Sequence, residues 1–136
     1  NYNENIKYNL KLGFEFTKKN KNSKKLIITS GYFCKLANEV ADKKKIDVLN
    51  LFRLKNFNKK RFINICFKYK EIIVYDENTE FGGILPIILN LLNKADFKNK
   101  IKSMSVKDKQ YFIYSDTREK ILSKLKVDKK NLEKII

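Results

Sequence analysis

A strand, a helix and a second strand follow one another in residues 26–51, whose sequence is LIITSGYFCKLANEVADKKKIDVLNL. The first four residues are apolar or β-branched and precede Ser30-Gly31, which is typical of a strand buried on both faces. Over residues 32–43 the apolar side chains recur at helical spacing, so one face of a helix is buried. The run 46–51 predicts the second strand. Strands that alternate with a helix across short connections indicate a parallel sheet and an α/β fold.

The same alternation continues on both sides of this stretch. Asn58 predicts the cap of a helix, and residues 71–75 form a third strand that ends in the polar group 76–80. The other predicted elements are an edge strand at 12–16, a buried helix at 84–92, a strand at 101–106, a helix at 118–125 and a helical piece at 132–136. We expect an α/β three-layer sandwich with a mostly parallel sheet of four to five strands. The whole chain 1–136 then forms one domain, with residues 1–20 as edge strand and lead-in.

The composition excludes several kinds of active site. The chain has 136 residues and no His, so it cannot build a Ser-His-Asp or Cys-His site by itself. Cys34 and Cys66 cannot complete a four-ligand zinc site without other residue types. No apolar run is long enough to cross a membrane. The isolated cysteines and the lack of a secretory signal indicate the cytoplasm, or an organelle if the source has plastids. The start at Asn1 indicates a processed product or a fragment.

The net charge of +16 attracts polyanions, so nucleic acid has to be considered as a partner. However, the only arginines are Arg53, Arg61 and Arg118, and the lysines are spread along the chain. Abundant Lys, Asn and Ile together are typical of an AT-rich genome. We therefore do not expect nucleic acid or a membrane as the main partner. A basic α/β module that binds nucleic acid or another polyanion remains the alternative function.

Two glycine segments precede predicted helices. Ser30-Gly31 follows the first strand, where the bare amides of a helix N-terminus can hold an anion. A tight turn that needs glycine is a second interpretation of these residues. A third is that the chain is a small stand-alone α/β protein that binds a ligand at Ser30-Gly31. Gly82-Gly83 has two interpretations, an anion site or close packing of a helix.

Acidic residues cluster just after the third strand. Asp76, Glu77 and Glu80 could perform acid–base chemistry or hold a metal through oxygen, or they could form a solvated loop. The pair Arg118-Glu119 at a helix start could clamp an anion or form a surface pair. The two cysteines lie at or near apolar stripes, which favours buried side chains over reactive thiols.

In chain order these motifs resemble the C-terminal domain of the transketolase family. The residues that carry the resemblance are the Ser30-Gly31 turn, the run 46–58, the acidic group 76–78 with Phe81-Gly82-Gly83, and the closing element 111–122. The resemblance covers about residues 11–136, and the tail is most similar to 1-deoxy-xylulose-5-phosphate synthase. Asn56 and Asn58 stand where the family usually has proline and aspartate, and Asp116 where glycine is usual.

The resemblance implies a division of labour. In such enzymes thiamine diphosphate and Mg²⁺ are bound by the preceding domains across a dimer interface, and the third domain mainly supports the dimer. The resemblance implies a parent enzyme that transfers ketol or aldehyde groups and forms a homodimer. In that enzyme this domain contacts the preceding domains or a partner chain. The resemblance also implies that this chain holds no catalytic, cofactor-binding or metal-binding residue. We expect Gly82, Gly83, Asp76 and Glu77 to pack against neighbouring domains.

Overall fold

The computed structural model describes residues 10–79, 83–106 and 128–136. The strands in these residues are β1 (Phe14–Lys18), β2 (Lys25–Thr29), β3 (Asp47–Leu51), β4 (Glu71–Thr79) and β5 (Lys100–Val106). The helices are α1 (Tyr32–Lys44), α2 (Lys59–Cys66), α3 (Ile84–Lys94) and α4 (Lys129–Ile135). The predicted alternation of strands and helices is therefore confirmed.

The five strands form one sheet in the order β1-β3-β2-β4-β5. The strands from β2 to β5 pair in parallel, and β1 pairs with β3 antiparallel. The sheet is mostly parallel, as the sequence predicts. The chain leaves β2 through α1 to reach β3 on one side, and it reaches β4 on the other side through α2. This reversal of direction lies between β2 and β4.

Each face of the sheet is covered by its own core, because successive strand residues point to opposite sides. Leu26 and Ile28 face one core and Ile27 faces the other. The first core is completed by the helices α2 and α3, through Phe62, Cys66, Ile84, Ile88 and Leu92. The second is completed by α1 and α4, through Phe33, Leu36, Ala37, Val40, Ala41 and Leu132. The three-layer arrangement is confirmed.

The edge strand begins two residues later than predicted because Gly13 separates it from a helical turn at residues 10–12. Gly13 has φ +84°, a left-handed conformation that favours glycine. Its carbonyl oxygen accepts the N–H groups of Phe52 and Arg53, both at 3.1 Å. A Cβ at this position would lie 2.6 Å from the Cβ of Phe57. Glycine thus allows β1 to approach the segment that follows β3.

The strand β4 runs to Thr79 rather than ending at Tyr75. The parallel partner β5 lies alongside the polar residues, with Asp76 opposite Ser105 and a register shift before Thr79. Backbone pairing therefore keeps a polar segment in the strand that its side chains alone do not predict. Asn58 caps α2 as predicted, since its side chain accepts the N–H of Arg61 at 3.0 Å.

The helix α4 is held to the amino edge of the sheet by lysines. Lys102 Nζ donates to the carbonyl of Ile135 at 2.7 Å, and Lys25 Nζ to that of Ile136 at 2.6 Å. Both lysines also pair with Glu71, at 2.8 and 3.4 Å. The hydrogen bond from Lys102, and the charges of both lysines, hold the pKa of Glu71 below its ordinary value.

Two sequence predictions concern other parts of the chain. The helix at 118–125, with its cap and the pair Arg118-Glu119, lies outside the described residues. The final helical piece begins earlier than predicted, at Lys129, where the Asp128 side chain accepts the N–H of Asn131. Among the described residues, no helix has the length and apolarity to span a bilayer.

Candidate functional site

The carboxyl ends of the three central strands meet at one edge of the sheet. Thr29 lies beside Asn50 on one side and beside Tyr75 on the other. All three face α1, because the residues two positions earlier in each strand belong to the core on that side. The reversal between β2 and β4 lies here, and open α/β sheets commonly bind ligands at such a point. This carboxyl edge is therefore the first place to look for a site.

The Ser30-Gly31 turn is explained by its backbone. Gly31 has φ 63° and ψ −141°, a combination that favours glycine, and it is the N-cap of α1 without a side-chain cap. The N–H of Cys34 donates to the Gly31 carbonyl at 3.1 Å. The turn interpretation thus accounts for the glycine, and an anion at this helix start stays a hypothesis.

Side chains fill the carboxyl edge beneath this turn. The rings of Phe33 and Tyr75 stack with centroids 4.3 Å apart and planes 20° apart. Thr29 Oγ1 and Asn50 Oδ1 are buried and have no hydrogen-bond partner among the described residues. Because both oxygens lie below the surface, a ligand does not reach them in this conformation.

Asp76 is the one member of the acidic cluster whose side chain the structure describes. It is fully buried, and its Oδ2 accepts the N–H of Ile84 at 2.6 Å. Gly83, the N-cap residue of α3, supplies no side chain for this purpose. A carboxylate from the neighbouring strand therefore caps α3, where the helix dipole favours negative charge.

The other predicted packing residues are less completely described. Glu77 lies in β4, but its side chain is outside the described residues, as are Glu80 and Gly82. Gly83 is buried directly before α3. Packing of this segment against a neighbouring domain stays a prediction. The Asp76 carboxylate itself contacts the Ile84 amide within this domain.

The two cysteines lie on opposite sides of the sheet and are both free thiols. Cys66 is fully buried in the core beneath α2, and burial raises the pKa of its thiol to about 12. Such a thiol stays protonated near neutral pH and is a poor nucleophile. Cys34 is only half-buried, and its Sγ lies 3.7 Å from Thr17 Oγ1. The interpretation as a buried small hydrophobe therefore holds for Cys66 more than for Cys34.

The sequence did not reveal a buried polar cluster at the opposite, amino edge. Asp47 is fully buried, and its carboxylate accepts from Tyr69 Oη at 2.5 Å, Lys19 Nζ at 2.9 Å and the Asn20 N–H at 2.6 Å. Burial, followed by the hydrogen bond to Asp47, raises the pKa of Tyr69. These bonds join three distant segments of the chain. The signal in the sequence was a lone carboxylate in the apolar run 46–51.

Metal binding has no visible basis in the part of the chain that the structure describes. No group of three or more His, Cys, Asp or Glu side chains lies close enough there to hold an ion. The Asp76 carboxylate is engaged by a backbone amide instead. The described residues thus form a packed structural unit with a mostly parallel sheet and a carboxyl edge closed by side chains.

This class of fold can be assigned more closely by comparison with known proteins. The family model "Transketolase, C-terminal domain" matches residues 15–132. The chain therefore belongs to the transketolase C-terminal domain family. No curated protein matches the chain.

Solved transketolase structures have a similar fold. One is described as a split gene transketolase, "inactive beta4 tetramer". It matches with a TM-score of 0.70 and 14% identity, over 88% of this chain and 39% of that chain. Transketolase from Campylobacter jejuni subsp. jejuni NCTC 11168 matches with a TM-score of 0.59 and 16% identity, over 93% of this chain and 18% of that one. Transketolase from Leishmania mexicana matches with a TM-score of 0.63 and 11% identity, over 94% of this chain and 18% of that chain. At these identities the likeness shows the fold alone, and this chain spans well under half of each relative.

Proposed function

We propose that this chain is the C-terminal part of a thiamine-diphosphate-dependent transferase of ketol or aldehyde groups. The observation that carries the proposal is the family match over residues 15–132, on a sheet shared with solved transketolases. Most of each relative has no counterpart in this chain, which covers 39% or 18% of them. The reaction then belongs to a larger assembly, a homodimer in the cytoplasm, in which this part joins the preceding domains or a partner chain.

Within that assembly this part supports packing rather than reaction. Phe52 and Leu54 follow β3 at the carboxyl edge and are 39% and 36% exposed. Exposed aromatic and aliphatic side chains close together are typical of protein–protein contacts. They lie at the same edge as Gly83 and the end of β4. The proposal therefore assigns the carboxyl edge to contact with neighbouring domains.

The described residues do not fit the cofactor by themselves. Thiamine diphosphate is held through Mg²⁺, which takes oxygen ligands, and no group of three or more His, Cys, Asp or Glu side chains lies together among the described residues. When bound elsewhere in the enzyme, the cofactor supplies the carbanion chemistry. We propose, as the family resemblance implies, that the cofactor is held by the preceding domains or a partner chain and that the residues of this chain serve packing.

The split-gene relative supports this separation of roles. Its matching chain is described as an inactive tetramer, although it contains the same fold. By analogy, the isolated 136-residue chain should not transfer ketol groups. The finer identity of the parent, 1-deoxy-xylulose-5-phosphate synthase or a sugar-phosphate transketolase, depends on the tail with its closing element 111–122, whose resemblance favours the former.

Calorimetry tests the absence of cofactor binding directly. Thiamine diphosphate with Mg²⁺, titrated into the 136-residue chain, should give no binding heat. Tight binding would contradict the proposal, because it requires a site within this chain.

A pair of variants tests the assembly role. In the enzyme that contains this chain, Phe52→Ser should weaken the association of this part with its neighbours. Size-exclusion chromatography should then show a smaller fraction of the protein eluting as the full assembly. Phe67→Ser is the matched control, since Phe67 is 48% exposed and follows α2 at the opposite edge. If both variants elute as the full assembly to the same extent, the assignment of the carboxyl edge is contradicted.

A further inference from the structure

A groove opens at the amino edge of the sheet, opposite the carboxyl edge. The turn at residues 22–25, the end of α1 and the last residue enclose a volume of about 340 Å³. Its charged lining side chains are Lys24, Lys25, Lys44 and Lys45, and no Asp or Glu side chain lines it. In the 136-residue chain the terminal carboxylate of Ile136 also lines the groove, and it accepts from Lys25 Nζ at 2.6 Å. We call this feature the lysine groove.

Most of this positive charge is not neutralised within the described part of the chain. Lys24, Lys44 and Lys45 are exposed and form no ion pair with a described residue. By contrast Lys43, their neighbour on α1, pairs with Glu133 at 3.6 Å. Lys25 pairs with Glu71, but that carboxylate is shared with a second lysine. Three ammonium groups in the groove thus have no Asp or Glu partner among the described residues.

The end of α1 accounts for only part of this arrangement. A helix C-terminus carries roughly half a negative charge, which favours a nearby cation. Together with the terminal carboxylate of Ile136, this partial charge amounts to about 1.5 negative charges, fewer than the positive charges of the groove's four lysines. Lys45 also adopts φ 55°, ψ 49°, the left-handed C-cap conformation in which glycine is usual. A lysine therefore occupies a position that its backbone disfavours, at the rim of the groove.

We propose that the lysine groove binds a small ligand that carries two or more linked phosphate groups. Lysine offers a compact charge with several donors, which suits phosphate oxygens without requiring one orientation. No aromatic side chain and no arginine line the groove, so it offers neither base stacking nor base-edge recognition. The ligand is held by its phosphates alone. The inference is independent of the proposed function, because it concerns the other edge of the sheet.

The test uses inorganic tripolyphosphate as the probe and the 136-residue chain as the protein. Binding is measured by calorimetry at low salt and again over a series of KCl concentrations. The test variant is Lys24→Gln/Lys44→Gln/Lys45→Gln. We expect it to weaken binding at least about tenfold and to flatten the salt dependence, since three groove charges are lost.

A second triple variant separates the groove from the overall charge. Lys55→Gln/Lys60→Gln/Lys68→Gln removes the same charge from exposed lysines outside the groove. At about 0.15 M KCl, where the Debye length is about 8 Å, we expect this control to bind tripolyphosphate within about twofold of the unchanged chain, since exposed charges outside the groove are largely screened. Circular dichroism confirms that each variant is folded.

Three results would overturn the proposal. The unchanged chain could fail to bind tripolyphosphate, or the control variant could lose as much affinity as the groove variant. The third result concerns single-stranded RNA as a competing probe. The RNA could have a more favourable binding free energy per phosphate group than tripolyphosphate. If the RNA also lost its affinity in the groove variant, the groove would be a nucleic-acid surface.

Discussion

Removing the Asp76 carboxylate should destabilise the chain far more than its place among surface-like acidic residues suggests. Asp76 Oδ2 accepts the Ile84 N–H at 2.6 Å, and both residues are fully buried. In Asp76→Ala this amide loses its carboxylate away from water, which costs about 1–3 kcal/mol. The lost attraction between the carboxylate and the start of α3 adds up to about 1 kcal/mol. We expect a decrease of about 2–3 kcal/mol in the free energy of unfolding.

Two further variants divide this effect into its parts. Asp76→Asn keeps an oxygen that can accept from the Ile84 amide but removes the charge, so it should cost only about 1 kcal/mol. Asp42→Asn makes the same chemical change at a position that is 62% exposed and pairs with Lys18 at 2.9 Å. An exposed pair contributes less than about 1 kcal/mol, so this control should be nearly neutral.

Urea unfolding followed by circular dichroism measures the three free energies. Hydrogen exchange of the Ile84 amide reports the cap itself, and exchange should accelerate in Asp76→Ala without a similar change in the middle of α3. The reasoning is refuted if Asp76→Ala costs less than about 0.5 kcal/mol, the level of an ordinary surface change. Equal costs for Asp76→Asn and Asp42→Asn would also refute the role of the buried charge.

Three further predictions follow from individual residues. The folded pKa of Glu71 lies below its ordinary value of 4.5. Ionised Glu71 therefore stabilises the chain fully above pH 4.5, and this stabilisation is lost as the pH falls through the folded pKa. Glu71→Gln should remove that loss from urea midpoints measured down to about pH 3, and an unchanged acid profile would contradict the ion pairs. An aromatic disulfide reagent should modify Cys34 but not Cys66 in the native chain near pH 8, and both in urea, whereas native modification of Cys66 would contradict its burial. Gly13→Ala should cost about 2 kcal/mol or more, because φ is +84° and the new Cβ meets Phe57; an unchanged urea midpoint would contradict this.

The central elements of the fold could be predicted because their side chains repeat with a clear period. The predicted strand at 26–29 and helix at 32–43 are within one residue of β2 and α1. The cap at Asn58 could also be predicted, since its side chain bonds within its own helix. Local periodicity and local hydrogen bonds are properties of a short segment, so a sequence reveals them.

Features that depend on distant partners could not be predicted. The extension of β4 requires β5 alongside it, and the burial of Asp47 requires partners from residues 19, 20 and 69. The capping of α3 by Asp76 joins a strand residue to the Ile84 amide eight residues later, and no sequence period connects the two. The lysine groove joins residues 22–25 to 44–46 and to Ile136, which no sequence period connects.

The outer strands of the sheet give the lysine-rich composition a consequence for self-association. In the described sheet, β1 and β5 are outermost. Lys100 on β5 is exposed, while Lys18 on β1 pairs with Asp42 and Lys102 on β5 pairs with Glu71. A second copy that extended the sheet would bring its own ammonium groups against these, and lysine at exposed edges is a common obstacle to such growth. We therefore expect the lysines on these outer strands to disfavour contact between copies of this chain by extension of the described sheet.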